Sequence, residues 1–234
     1  MYQSRLEKCF DELKRLKKKA LIPYITAGDP LPNLTVSLMH GLVESGADII
    51  ELGVPFSDPI ADGPIIQRAS ERALNHGVNL ETCLGFVNDF RIRNKVTPIV
   101  LMGYMNPIEQ FGWDHFADKA AHVGVDGVLV VDCPPEESKI FFDKLKAQNI
   151  DCIHLVAPTT SEERLQKILG EASGYIYYVS LRGVTGSDKL NPVDVSQKIN
   201  FVKKHTKLPV AVGFGISSRK SVSDIAKTDA DGVV

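Results

Sequence analysis

Short apolar runs alternate with amphipathic segments along the whole chain, and this alternation limits the possible folds more than any other feature. Most of the runs are almost continuously apolar, which is typical of parallel strands that are covered on both faces. The segments between them are long enough to form crossover helices. The predicted strands cover residues 20–26, 48–54, 98–105, 127–132, 152–157, 175–181, 209–215 and 231–234.

Eight strands with seven helical segments between them favour a (β/α)8 TIM barrel in the α/β class. The joints "SGADII", "VGVDGVLV" and "DADGVV" are similar: each has an Asp just before a strand, and Gly46 and Gly124 end the helices before the first two. We therefore predict one domain over residues 1–234, in which the final helix is absent because the sequence stops within the eighth strand. A doubly wound open sheet is the alternative, but no G-x-G-x-x-G fingerprint follows the first strand.

An additional helix is predicted before the first strand. Leu6, Phe10, Leu13 and Leu16 recur at helical spacing, so one face of this helix can lie against the domain. The basic run at 14–19 suits the C-terminal end of such a helix. Because the formal net charge is −2 and no aromatic residues are interleaved with these cations, we do not expect nucleic-acid binding.

Cysteine usage and hydropathy are typical of a cytoplasmic protein. The four cysteines are scattered, without a C-x-x-C pair or the spacing of metal ligands, which suggests reduced thiols. No stretch approaches eighteen consecutive apolar residues, and the N-terminus lacks the apolar region of a signal peptide. We therefore expect no membrane segment.

Three carboxylates fall within the fourteen residues "ELGVPFSDPIADGP" at 51–64. In a parallel barrel the reacting groups lie at the carboxyl ends of the strands and on the loops that follow. Glu51 belongs to the second strand, where a carboxylate is either paired for structural reasons or directed into the barrel mouth. Asp62 precedes a helix that begins near Pro64, so it is either a helix cap or a second acid–base group. We interpret Asp58 as a turn former.

Different environments would give these carboxylates different tasks. Burial would raise the pKa of Glu51, so that it holds a proton near neutral pH, while Asp62 in its loop stays ionised. Such a pair suits general acid–base catalysis.

Glycines follow the sixth and seventh strands, in "GVTG" at 183–186 and "GFGIS" at 213–217. Glycine lets the backbone approach a ligand closely, and phosphate sites after the late strands are habitual in this fold. Thr185 and Ser217 add hydroxyls that either bind an anion or cap a helix. We therefore expect a phosphate site here.

Apolar and aromatic side chains near the strand ends suit a flat apolar substrate. No lysine lies within a predicted strand, which argues against Schiff-base chemistry, and His154 is the only strand histidine, which argues against a metal site. The residues therefore indicate acid–base cleavage of a phosphate-bearing substrate. The pocket is expected to contain Tyr24, Leu101, Tyr104, Leu129, Tyr177 and Thr185, with Phe214 at its rim.

The segment "ELGVPFSDPIADGP" resembles the signature segment of tryptophan synthase alpha subunits. Further segments resemble that family in the same order, and they are "PYITAGDP", "DGVLVVDCPPEES", "GVTG" and "GFGIS". The resemblance covers essentially the whole chain. It implies a (β/α)8 barrel and a carbon–carbon lyase of tryptophan biosynthesis, which cleaves indole-3-glycerol phosphate to indole and glyceraldehyde 3-phosphate by acid–base retro-aldol chemistry.

By position, the resemblance implies that Glu51 is the acid–base residue and that Asp62 hydrogen-bonds the indole N–H. It places Gly186, Phe214 and Gly215 at the substrate phosphate. The family's remaining phosphate contacts come from a Gly-Ser pair just after the eighth strand, which would follow the last residue of this sequence.

The resemblance also implies a partner. This is a beta subunit that contains pyridoxal phosphate and receives indole through an internal passage, in a heterotetramer of two alpha and two beta subunits. The loops around 55–59 and 105–108 would face it, and the chain itself would need no cofactor. Two alternatives remain open: a degenerate barrel that acts only as an allosteric partner, and another phosphate-binding barrel, either an isomerase or a synthase of an earlier indole step.

Overall fold

The computed structural model describes residues 3–180, 192–213 and 215–234, in which helices and strands alternate. The strands are β1 Ala20–Leu21, β2 Tyr24–Thr26, β3 Ile50–Gly53, β4 Ile99–Gly103, β5 Gly127–Val130, β6 Asp151–Val156, β7 Ile176–Val179, β8 Val210–Gly213 and β9 Gly232–Val233. The α-helices are α1 Arg5–Arg15, α2 Thr35–Glu44, α3 Pro64–Asn75, α4 Leu80–Arg93, α5 Met105–Phe111, α6 Trp113–Val123, α7 Pro135–Ala147, α8 Glu162–Glu171, α9 Pro192–His205 and α10 Arg219–Ala226.

The strands form one curled parallel sheet in which consecutive strands from β2 to β9 pair with each other. The first predicted strand is split: β1 pairs with β9, and β2 pairs with β3. Pro23, which has no N–H to donate, lies at the break, and its carbonyl accepts the Glu51 N–H at 3.0 Å. Because β1 and β2 follow each other directly and bond to opposite ends of the sheet, they close it. The predicted (β/α)8 barrel is confirmed, and the division into a single domain over 1–234 stays a prediction.

Two connections contain two helices where the sequence pattern predicted one. Gly77 lies between α3 and α4, and Gly112 lies between α5 and α6. Both glycines have positive φ, a conformation that other residues adopt only with strain, so the chain turns sharply at each of them. No helix in the described part of the chain combines the length and the hydropathy that crossing a membrane requires.

The recurring Asp before a strand has one structural role at the lower end of the barrel, which is the end where the strands begin. The carboxylates of Asp48, Asp126 and Asp231 accept the backbone N–H groups of Leu21, Ile99 and Val210, each at 2.8 Å. Two of these bonds join the starts of adjacent strands, and the bond from Leu21 joins the end of β1 to the residues that precede β3. The similarity of the three joints therefore reflects a repeated strand-to-strand connection.

The helix that the N-terminal periodicity predicted is α1, and it closes the lower end of the barrel. Its residues Leu6, Phe10 and Leu13 pack with side chains from inside the barrel, and the Phe10 ring lies 5.7 Å from that of Tyr175. Leu16, predicted on the same face, is half exposed because the helix ends before it. The interior is therefore closed at the end of the barrel where the strands begin.

Asp126 holds together two arginines at this lower end. Its carboxylate accepts from Arg91 at 2.6 Å and from Arg5 at 2.8 Å, and its side chain is almost fully buried. We expect Asp126→Ala to lower the free energy of unfolding by about 3–5 kcal/mol, because the buried Arg91 guanidinium loses its counter-charge. Urea unfolding measures this. Asp143→Ala, which breaks only the exposed pair with Lys139, should cost less than about 1 kcal/mol, and equal losses would contradict the prediction.

Candidate active site

Glu51 lies in the middle of β3 on the face that points into the barrel, in phase with the interior residue Ile49. Its side chain is buried, and neither carboxylate oxygen has a hydrogen-bond partner among the described residues. Burial raises the pKa of Glu51 to about 8, and the nearby Tyr175 hydroxyl only partly offsets this rise. The contact between that hydroxyl and Glu51 does not have the geometry of a regular hydrogen bond. Glu51 is therefore a protonated, unpaired acid near neutral pH.

Asp62 does not cap α3, so the helix-cap interpretation was wrong. The cap position is occupied by Gly63, without a side-chain bond. The Asp62 carboxylate instead accepts from the Tyr104 hydroxyl at 3.0 Å, and that hydroxyl accepts from the Ala61 N–H at 3.1 Å. Partial burial raises the pKa of Asp62, and the bond from Tyr104 works in the opposite direction. Asp62 is thus held at the barrel mouth by the end of the neighbouring strand.

Asp58 has the contacts of a turn residue. Its exposed carboxylate accepts from the Ser57 hydroxyl at 2.6 Å, and its backbone carbonyl accepts from the Ile60 N–H at 2.9 Å. These local bonds shape the loop between Glu51 and Asp62, in agreement with the turn interpretation.

Two tyrosines among the predicted pocket residues lie over glycines of the adjacent strand. A Cβ atom at Gly53 would overlap the Tyr24 ring, and a Cβ atom at Gly213 would overlap the Tyr177 ring. Tyr24 is also the register partner of Glu51. The glycines therefore make room for two aromatic rings at the upper end of the barrel.

Leu129 packs inside the barrel, but Leu101 does not. Leu101 packs outward against the helices, and its neighbour Met102 packs with the interior cluster. Side chains alternate along a strand, so a shift of one residue moves the contact to the other face. Val100 and Met102 are thus the residues that β4 contributes to the interior cluster.

The predicted phosphate loop is described only in part. Gly186, Thr185 and Phe214 lie outside the described residues. Gly215, just after β8, is exposed and has φ +72°, a conformation that favours glycine. The helix that follows is capped by Ser218, so Ser217 is not its cap residue.

Tyr175 is a site residue that the sequence analysis missed. It is buried beside Glu51, and its hydroxyl has no hydrogen-bond partner within the described residues. Its position two residues before Tyr177 in the same predicted strand was the available signal, because residues at that spacing share a face. Among the described residues, no three His, Cys, Asp or Glu side chains come together as metal ligands would.

Comparison with known proteins identifies the family. The family model for the tryptophan synthase alpha chain matches residues 10–234. The chain belongs to the tryptophan synthase alpha chain family. The alpha chains of Polynucleobacter necessarius and Chromobacterium violaceum are 56% and 57% identical to it, over 99% of this chain and 87% of each relative. The crystal structure of the alpha subunit from Legionella pneumophila superposes with a TM-score of 0.92 at 47% identity, covering 99% of this chain and 86% of that one.

Membership of the tryptophan synthase alpha chain family confirms the resemblance drawn from the sequence motifs, and with it the carbon–carbon lyase class. The parts of the site that the fold brings together are a buried acid, a carboxylate at the mouth and the Tyr24 ring, which lies near both of them. This arrangement suits proton transfer to and from an aromatic substrate.

Proposed function

We propose that this chain cleaves indole-3-glycerol phosphate to indole and glyceraldehyde 3-phosphate, with Glu51 as the acid–base residue. The observation that carries the proposal is the buried Glu51 carboxyl, without a hydrogen-bond partner among the described residues and with its pKa raised to about 8. Burying an acid without a partner costs free energy, so its retention is explained by use of its proton. Membership of the alpha chain family supports the same reaction.

The two proton transfers can be written for one carboxyl group. Protonated Glu51 gives its proton to C3 of the indole ring, which turns the ring into an electron acceptor. The resulting carboxylate takes the proton of the hydroxyl on the adjacent glycerol carbon. As that oxygen becomes a carbonyl, the bond between its carbon and C3 breaks, and its electron pair restores the aromatic ring. Glu51 ends protonated, as it began.

Asp62 supports the first of these transfers. Protonation at C3 leaves positive charge on the indole nitrogen, and an ionised carboxylate that accepts the N–H stabilises that charge. Tyr104 donates its hydroxyl proton to Asp62 Oδ2, so Oδ1 remains available for the indole N–H. Glu51 is therefore kept neutral by burial, and Asp62 accepts the indole N–H as an anion.

The substrate phosphate is proposed to bind at the glycine turns beyond β7 and β8. Gly215 supports this proposal, because its exposed backbone with positive φ can approach an anion closely. Gly186 and Phe214 are carried over from the resemblance, and their phosphate contacts stay predictions.

Members of the alpha chain family need no cofactor, because pyridoxal phosphate belongs to the beta subunit. We infer a heterotetramer with such a subunit. A tryptophan synthase complex from Pyrococcus furiosus contains a chain that is 39% identical, with a TM-score of 0.81, over 92% of this chain and 86% of that one. Ile60, beside the loop at 55–59, is 85% exposed, which suits a surface that a partner covers. A cytoplasmic location fits the described cysteines, which no disulfide links.

Indole release from indole-3-glycerol phosphate, measured with and without a beta subunit, tests the proposal. We expect release in both cases, and faster release with the partner. A chain that stimulates the beta subunit but releases no indole would instead be an allosteric partner only. Turnover of an anthranilate-derived sugar phosphate in place of this substrate would favour a different barrel enzyme.

A further inference from the structure

Two hydrogen bonds hold Tyr104 in place from the neighbouring strand. The Val131 N–H donates to the carbonyl of Gly103, just before Tyr104, at 3.0 Å. The N–H of Met105, just after Tyr104, donates to Asp132 Oδ1 at 2.8 Å. The backbone of Tyr104 is therefore fixed on both sides by consecutive residues that follow β5.

The Tyr104 side chain in turn holds the loop that carries Asp62. Its hydroxyl accepts from the Ala61 N–H and donates to Asp62, and its ring lies 5.1 Å from the ring of Phe56. Since a hydroxyl has one proton and Ala61 N–H can only donate, the proton must point to Asp62. The orientation of this bond is therefore fixed.

Asp132 is suited to fix the start of α5. The first N–H groups of a helix have no partner within the helix, and a carboxylate that accepts from one of them defines where the helix begins. Helix α5 has only seven residues, so few other backbone bonds determine its position. Tyr104 is the N-cap residue of this helix. Because Asp132 bonds to the residue that follows Tyr104, its side chain helps to set the backbone direction of Tyr104.

We propose that Asp132 is a positioning residue for the lyase reaction: it fixes Tyr104 through the Met105 N–H, and the Tyr104 hydroxyl orients Asp62 toward the indole nitrogen. This inference rests on the proposed function. It connects the ends of three successive strands, β3, β4 and β5, through hydrogen bonds of 2.8–3.0 Å.

A double-mutant cycle between Asp132→Ala and Tyr104→Phe tests this coupling, with indole release measured in the presence of a beta subunit. We expect each single substitution to lower kcat by about tenfold, because small misplacements of a reacting group are costly. In the Tyr104→Phe background, Asp132→Ala should lower kcat by less than about twofold, since the bond through which it acts is already lost. KM should change little in all three variants.

Two further variants separate positioning from general stability. Asp132→Asn keeps an acceptor oxygen, so kcat should remain within about threefold of the unmodified chain. Asn79→Ala removes a comparable cap from α4, where the Asn79 side chain accepts from the Thr82 N–H, and it should leave kcat unchanged. Losses in kcat that simply multiply in the double mutant, or that follow the melting temperature across all variants, would overturn the inference while leaving the proposed function intact. An unmodified chain that releases no indole would overturn both.

Discussion

Glu51→Gln should abolish indole release, lowering kcat by about a thousandfold, because the amide can neither give nor take the proton on which both transfers depend. The substitution keeps the shape of the side chain, so the pocket and the substrate KM should change little. Steady-state indole formation from indole-3-glycerol phosphate, with a beta subunit present, measures the effect. The same variant should still form the complex with that subunit.

The same substitution should also change how stability depends on pH. The folded-state pKa of Glu51 is about 8, against an ordinary value of 4.5. Between these values the unfolded chain releases the proton and the folded chain keeps it, so stability falls as pH rises from 4.5 to 8. Glutamine does not titrate and removes this dependence. The free energy of unfolding of the variant, minus that of the unmodified chain, should therefore be about 3–5 kcal/mol larger at pH 8 than at pH 4.5.

Glu44→Gln is the matched control, since Glu44 ends α2 on the exposed surface. It should leave both kcat and the slope of stability against pH unchanged. If Glu51→Gln kept more than a tenth of the activity, or if its unfolding free energy between pH 4.5 and 8 followed that of the unmodified chain, Glu51 would be a structural acid and its proposed role would be wrong.

The barrel could be predicted from the sequence because its evidence is repeated and local. Each strand is a short apolar run between turn residues, and each of three strands is preceded by an Asp whose carboxylate accepts a backbone N–H from an earlier strand. Glu51 could be singled out because one carboxylate in an otherwise apolar run needs either a charged partner or a chemical use. Both a repeated strand pattern and a single residue that departs from it can be recognised in one sequence.

The direction of a side chain inside the barrel could not be predicted in the same way. Strands covered on both faces are apolar at every position, so the pattern that separates inside from outside is lost. This is why Leu101 was placed in the pocket and its neighbour Met102 was not. A polar residue shows which face of its strand points inward. Because Glu51 lies in the interior, its neighbours in β3 must point outward.

The partner of Asp62 was also beyond the sequence pattern. The preference of Asp for helix caps is local, and it made the cap beside Pro64 one of two possible roles for Asp62. The observed partner, Tyr104, lies 42 residues further along the chain and meets Asp62 only because β3 and β4 are adjacent in the barrel. Contacts between residues so far apart in the chain depend on the fold, and local sequence patterns do not indicate them.

Asp62→Asn should lower kcat and kcat/KM for indole release by about a hundredfold each, since it removes charge stabilisation that is needed only as the indole nitrogen becomes positive. The amide oxygen can still accept the bond from Tyr104, so the loop keeps its anchor and substrate affinity should be nearly unchanged. Steady-state kinetics over a range of substrate concentrations separate the two parameters.

Asp58→Asn, in the same loop, shows whether kcat depends on the charge of Asp62 or on the loop as a whole. Asp58 is exposed, and among the described residues it bonds only within its own turn, so its substitution should change kcat by less than about threefold. If both variants lost activity equally, the negative charge of the loop or its conformation would be the common cause, and Asp62 would have no separate role. A hundredfold difference between two aspartates four residues apart would require that only one of them meets the reacting ring. The bond from Tyr104 is what distinguishes that one in the structure.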